Sequence, residues 1–409
     1  MRPILLLALL LPFVSLSQDR LLSVSSKDSI NGRPVLQSSL GANIKLNGFY
    51  DAFGGLQGNE TFNVGIIDVF GTDDSPSFHM DLYQTQLKFE TTYFERKSGQ
   101  RVYAIVESDF WGGNGAMRLR KAYVETRHWQ IGQNWNNFGD ELLWPNIMEW
   151  EGPPSGVWIR TPHIKYSNTF KNESWIYEMS LEAPITNYVS FEEFGLNVEE
   201  VNQVTPDLTV AFKKAFAWGH LRLSSIARNI RYEYEEELGD IFGYGFSFSG
   251  LYVTPGQNMF QFQIVAGKGI TAYMTSLSGL GYDGYLNVSG DFVSTPAAGG
   301  WASYEYYLTR KLHSNFVLGF TRYNFLDAQE FELRLEDQDE TVIQGDFINS
   351  HFYGIVNMMY DPFPRMTIGL ELDYGWKDIS FNGFVDNTFE TGDKRRDAMR
   401  ISFGFMFYI

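Results

Sequence analysis

One property narrows what this chain can become more than any other: apolar and polar residues alternate with a period of two over long stretches. The closing run MRISFGFMFYI puts Met399, Ile401, Phe403, Phe405, Phe407 and Ile409 on one parity. Arg400, Ser402, Gly404, Met406 and Tyr408 fall on the other. Period two is the spacing of a strand. RMTIGLELDYGWKD (365–378), IFGYGFSFSGLYV (241–253), MFQFQIVAGK (259–268) and TQLKFET (85–91) repeat the pattern. Strands of soluble sheets run to about 5–6 residues, whereas a tilted strand crossing a bilayer needs about 9–11. An aromatic edge left bare at a terminus invites aggregation. A strand that closes a barrel has no free edge.

The ends and composition agree with that reading. MRPILLLALLLPFVSLS (1–17) has a basic Arg2, a short apolar run and small residues at its end, the make-up of a signal peptide. Beyond it no apolar run is long enough for a spanning helix, so a closed barrel is the membrane architecture left open. Aromatics at 16% and 39 glycines suit girdles and close-packed strands. The chain has no cysteine, which excludes a disulfide scaffold and a thiolate metal site; no metal or other cofactor is expected. The formal net charge of −17 argues against a nucleic-acid partner. Residues 18–43 are polar and mixed, and are expected in the periplasm or the lumen.

Sixteen alternating segments are predicted, starting near residues 44, 80, 100, 117, 129, 158, 174, 206, 219, 241, 259, 301, 314, 348, 365 and 398. Short turns such as ERKSG, TRHW, TPGQN and DPFPR alternate with longer loops at 54–79, 138–157, 184–205, 269–300, 327–347 and 379–397. The expected fold is therefore all-β, a transmembrane antiparallel β-barrel of 16 strands over 44–409. Ser402, Gly404, Phe407 and Ile409 resemble the terminal signal read by the outer-membrane assembly machinery, with Ile409 where that signal usually has Phe or Trp.

The hairpin RVYAIVESDFWGGNGAMRLRKAYVE (101–125) is the richest in charge. If Asp109 opposes Arg118, then Glu107 opposes Arg120, and all four face the lumen. Lys121, Tyr123 and Glu125 then share the other face, which would need cover from a neighbouring subunit. Lys213, Arg222 and Arg228 also read as inward, and so does Arg160, near a Pro162 expected to bulge its strand. A basic lumen wall selects anions; the plainer reading is that these cations neutralise lumen carboxylates such as Glu107, Asp109, Glu371 and Asp373. Loop 138–157 carries Trp144, Ile147, Met148 and Trp150, poorly placed in open water, and is expected to fold inward. Asp140, Glu141, Glu149 and Glu151 would then face the basic wall and narrow the pore.

AMRLRKAYVE, WQIGQNWNNFGD and GVWIRTPHIKY resemble the DcaP-type porins of Gram-negative outer membranes. That family pairs strand-four arginines, here Arg118 and Arg120, with a Gly-Gln-x-Trp segment, here Gly132, Gln133 and Trp135. The resemblance is clearest over 101–168. It implies a homotrimeric, sixteen-stranded diffusion channel in the bacterial outer membrane that favours small anionic solutes, including dicarboxylates, with lipid and lipopolysaccharide around it. Two other classes stay open. An outer-membrane hydrolase would need a nucleophile and a base, yet no Gly-x-Ser-x-Gly or His-Glu-x-x-His spacing occurs, and no catalytic residue is assigned. His128, His220 and His313 read as polar turn residues. A secreted soluble β-sandwich that binds glycans would show the same alternation.

Overall fold

The computed structural model describes residues 21–409 apart from 31, 57–60, 70, 72, 171–173, 186–197, 335–339 and 386–387. Sixteen antiparallel strands close into one barrel. They are β1 (Leu36–Phe53), β2 in two halves (Ser77–Asp81 and Gln86–Phe94), β3 (Arg101–Asp109), β4 (Arg118–Glu125), β5 (Trp129–Trp135), β6 (Arg160–Phe170), β7 (Trp175–Glu182) and β8 (Asp207–Phe216). The second half has β9 (Gly219–Tyr234), β10 (Glu237–Val253), β11 (Met259–Lys268), β12 (Pro296–Tyr307), β13 (Leu312–Arg334), β14 (Glu340–Phe363), β15 (Met366–Val385) and β16 (Thr388–Tyr408). Closure is made by β16 on β1, with Phe407 opposite Ile44 and Ile401 opposite Tyr50. The terminal strand therefore has a partner on each edge, and a soluble sandwich is set aside.

The wall is turned inside out relative to a soluble protein. On β13, Phe316, Leu318 and Phe320 are 53%, 59% and 48% exposed, while Val317 and Gly319 between them are buried. On β15, Leu370 and Leu372 face out while Glu371 and Asp373 are buried. Apolar side chains outside and polar ones inside are what a bilayer demands of a barrel. The height of the wall is uneven. β4 and β5 have eight and seven residues, whereas β13 and β14 have 23 and 24. A tilted strand spans a bilayer in about 9–11 residues, so one side is low and the other rises well beyond it.

The sequence segments 327–347 and 379–397, expected as loops, are mostly the upper halves of two hairpins, β13–β14 and β15–β16. Beyond the membrane both faces of a hairpin can meet water, so the apolar alternation that marks a strand fades. Loop 233–240 is likewise a tight hairpin, with Glu235 and Glu236 both at positive φ, the backbone of a two-residue hairpin turn. β1 begins at Leu36 rather than 44. A short strand, Leu22–Ser25, pairs with Gln37–Leu40 on the short-turn side.

The described residues of 54–76, and the connections 136–159 and 269–295, pack inside the barrel. Phe138 and Val157 join Ile270, Tyr273, Met274 and Leu277 in one core against Tyr323, Phe325 and Phe347 of the wall. Leu56, Phe62, Val64 and Ile67 join Ile147 in a second core against Tyr353 and Ile355. The apolar character of loop 138–157 has this cause in part: Phe138, Leu143, Ile147 and Val157 line cores within the lumen, while Leu142 and Trp144 stay exposed.

Candidate functional site

The site starts from the shortness of β5. It ends at Trp135, part-way up the wall, and the chain turns inward at Asn136, whose N–H donates to the Ile159 carbonyl at 2.8 Å. Loop 136–159 then follows the inner wall as a belt. The Asn137 N–H donates to the Glu182 carboxylate of β7 at 2.7 Å. Ser224 of β9 donates to the Phe138 carbonyl, and Arg222 donates to the carbonyls of Gly139 and Asn137 at 2.5 and 2.6 Å. The Trp144 N–H donates to Gln261 of β11 at 2.8 Å, and Asn315 and Asn357 of β13 and β14 both donate to the Asn146 carbonyl. On β15 the two oxygens of Glu371 accept the N–H groups of Met148 and Glu149 at 2.8 and 2.7 Å, while Lys45 of β1 donates to the Met148 carbonyl at 2.9 Å. Gly369 and Gly404 form a hollow for the Met148 side chain; a Cβ on either would stand within 2.6 or 2.8 Å of it. The belt reaches β4 at Trp150, which stacks on Trp111 and lies under the Arg120 guanidinium at 4.4 Å.

The belt thus clothes the wall from β7 round to β1 and leaves the low wall of β3–β6 to the open lumen. That wall carries the basic residues. Asp109 opposes Arg118 as expected, and the pair is bonded at 2.7 Å. A β-bulge corrects the rest of the register: Glu107 opposes Lys121, because Arg120 is the extra residue. Arg120 still reaches Glu107 at 2.8 Å and Asp109 at 3.0 Å. The extra residue shifts parity by one, so Lys121, Tyr123 and Glu125 also point inward. Glu125 accepts from the lumen residue Gln130 at 3.2 Å, and Lys121 approaches the Trp135 ring to 6.0 Å. Cover from another subunit is not needed for them. Pro162 makes no bulge; pairing runs without a break from Arg160 opposite Trp135 to Tyr166 opposite Trp129. The Arg160 guanidinium lies 4.8 Å over Trp135 and within the field of Arg118 and Arg120.

The remaining expected site residues divide. Lys213 faces the lumen near Asp140 and Glu178. Arg222 is buried, paired with Glu178 at 3.1 Å, and serves the belt. Arg228 is 1% exposed and bound by Asp207 at 2.9 Å and Asp283 at 3.0 Å, so it ties wall to loop 269–295 and does not line water. Three of the four loop carboxylates, Asp140, Glu149 and Glu151, do not face the basic wall, a correction with one cause: each is held inside the packed lumen, whereas Glu141 does approach the wall at Lys121. Asp140 accepts from His220 and Ser249, both at 2.8 Å. Burial alone would raise its pKa, but His220 and Arg222 outweigh that and hold it well below the usual carboxylate range. Glu149 accepts from the Phe62 N–H at 2.9 Å, joining two inward loops. Glu151 is shut in where Phe62, Pro154, Thr275 and Tyr353 meet, and burial, then Glu149, pushes its pKa up to about 8. His220 and His313 are no ordinary turn residues; both are buried, against Asp140 and against Glu305 at 2.9 Å.

What the belt presents near the basic wall is aromatic. Trp135, Trp144, Trp158 and Trp301 form a continuous run with ring separations of 5.9, 4.7 and 5.3 Å. The exposed acid of this loop is Glu141, close to Lys121 and Lys165. Sequence spacing could not single it out, since Asp140 and Glu141 are adjacent and only the fold decides which turns inward.

No family model and no curated protein matches this sequence. Solved structures do. The outer membrane channel DcaP of Acinetobacter baumannii superposes with a TM-score of 0.68 at 15% identity, over 93% of this chain and all of that one. An anion-selective porin from Comamonas acidovorans gives 0.54 at 9%, over 91% and 100%. OmpF of Salmonella typhi gives 0.51 at 8%, over 92% and 98%. At such identities the likeness is one of fold: the chain has the closed sixteen-stranded barrel of porin structures.

Proposed function

We propose that this chain is an outer-membrane porin, a water-filled channel for passive diffusion of small solutes with a preference for anions. The observation that carries the preference is the placing of charge: Arg118, Arg160 and Lys213 stand accessible in the lumen, while Asp140, Glu149 and Glu151 are withdrawn into ties. Selectivity is set where the lumen is narrowest, by the charges that meet the solute there. The net charge of the chain does not oppose this, because much of its acid lies in the long-loop hairpins, as in the Glu233–Glu237 run. On this reading the short turns face the periplasm and the long loops the exterior. Dicarboxylates suit paired cations such as Arg118 and Arg160, and the resemblance to DcaP-type porins favours them. A homotrimer accords with the low wall of β4 and β5, too short to meet lipid alone over the full hydrocarbon depth.

Planar-bilayer recording under a salt gradient tests the reading. The reversal potential should indicate anions, and should move towards cations when Arg118→Ala and Arg120→Ala are combined, leaving Asp109 without its arginines and Glu107 with Lys121 alone across the hairpin. A native channel that selects cations, or one that never conducts, overturns it.

A further inference from the structure

The short-turn rim of the barrel is basic, and its cations sit at a defined depth on the outer surface. We propose that this rim binds the anionic headgroups of phospholipids in the periplasmic leaflet; the inference rests on the membrane orientation given above. The depth is marked by aromatic residues. Trp129 meets Tyr166 at 5.0 Å, Phe170 stacks on Trp175, and Phe216 stacks on Trp218 at 4.5 Å, which meets Tyr252 at 5.4 Å. These lie at the short-turn ends of β5 to β10. Such girdles settle at the headgroup level of a bilayer.

Lys214 is held at this depth on the outer face. Its neighbour Lys213 points into the lumen, but Lys214 is on the outward parity of β8 with the exposed Leu208 and Phe212. Its Nζ lies 4.9 Å over Trp175 and 5.7 Å over Phe216 and donates to Ser174 at 2.7 Å. Among the described contacts no carboxylate meets it. A lysine on the lipid face, its stem along apolar rings and its ammonium at the rim, is a snorkelling lysine. Around the same rim Arg127 adjoins Trp129 in the turn after β4, and Arg310 and Lys311 are exposed in the turn after β12. Arg96 and Lys97 occupy the turn after β2. The acids there are partly committed: Asp28 pairs with Arg96 at 2.7 Å, and Glu95 accepts from the N–H groups of its own turn. A cation held at an anionic surface is worth about fivefold in partitioning, from the usual energy per basic residue and the tenfold scale of 1.4 kcal/mol.

Native mass spectrometry of the intact protein in detergent, titrated with phosphatidylglycerol or phosphatidylcholine of matched chains, tests this. The native protein should retain the anionic lipid at least about tenfold better. Lys214→Gln combined with Arg127→Gln, Arg310→Gln and Lys311→Gln should remove most of that preference, whereas Lys213→Gln should leave it. No preference in the native protein, or one that survives in the fourfold variant, overturns the proposal. So does a preference abolished by millimolar succinate, which would place the anion site in the lumen. Because these rim side chains lie outside the conducting path, conductance of the same preparations separates a failed lipid site from a failed channel.

Discussion

Met148 fills the hollow that Gly404 leaves: its Cε lies 2.8 Å from where a side chain at 404 would begin. The same glycine belongs to the terminal motif read from sequence as an assembly signal. Its neighbour across the sheet, Gly369, bounds the hollow with Met148 Sδ at 2.6 Å. Gly369→Ala is the cleaner test, since it lies outside that motif. The new Cβ would meet Met359 Sδ at 2.5 Å as well as Met148 Sδ, so it should displace both side chains and loosen the belt, costing about 1–3 kcal/mol, the usual penalty for overpacking. Heat-modified gel mobility should show a folded barrel with a lower melting point, and single-channel records should become noisier. Unchanged melting and quiet conductance would mean that the hollow is not what seats the loop.

Trp150 covers Arg120 at 4.4 Å and closes one end of the belt. Trp150→Ala removes a cation–π contact worth about 0.5–2 kcal/mol and bares an arginine whose side chain is now 6% exposed. Single-channel conductance should rise and anion preference should strengthen. A fall in either would place Trp150 away from the conducting path.

The strand content was legible because bilayer-crossing strands must alternate, and the membrane-level parts of β10, β11, β15 and β16 do so. Where both faces meet water, as in GDKRRD, the same hairpin reads as a loop. The Arg118–Asp109 pairing was legible too, but the bulge at Arg120 was not. A single extra residue leaves no mark in the alternation beyond a break in parity, and Lys121, Tyr123 and Glu125 are that mark. The inward turn of loop 136–159 followed from its tryptophans. The direction of its carboxylates could not follow, because Asp140 and Glu149 are placed by partners on distant strands and loops, His220 and Phe62.

The Asp140 latch depends on pH. Its folded pKa is depressed, so its contribution is present above the unfolded value of about 3.9 and is lost as pH falls through the folded value. Asp140→Asn should lower the melting temperature at neutral pH, and the difference from the native protein should shrink below pH 4. A difference constant down to strong acid would show that the carboxylate charge is not what holds His220 and Ser249.

Glu151 has the opposite sign. Its pKa is pushed up to about 8, so the folded protein holds a proton that the unfolded chain releases near pH 4.3. Stability from this group therefore falls as pH rises between those values and is lost once pH passes about 8. Glu151→Gln should flatten the decline in melting temperature between pH 6 and 9. If the variant declines as steeply as the native protein, another group governs the junction of the inward loops.

Arg228 and Arg118 separate structure from selection. Both are lumen-side arginines paired with carboxylates, yet Arg228 is sealed between Asp207 and Asp283, while the Arg118 side chain is 33% exposed. Removing one partner of a buried ion network costs about 3–5 kcal/mol, because the charges left behind stay desolvated. Arg228→Ala leaves two such carboxylates and should lower the folded fraction, while channels that do form keep their ion preference. Arg118→Ala should do the reverse: Asp109 keeps Arg120 at 3.0 Å, so the fold survives, and the reversal potential moves towards cations. Melting curves and reversal potentials measured on both variants decide this. If Arg228→Ala alters selectivity without loss of stability, the buried arginine stands in the ion path and the assignment of the wall is wrong.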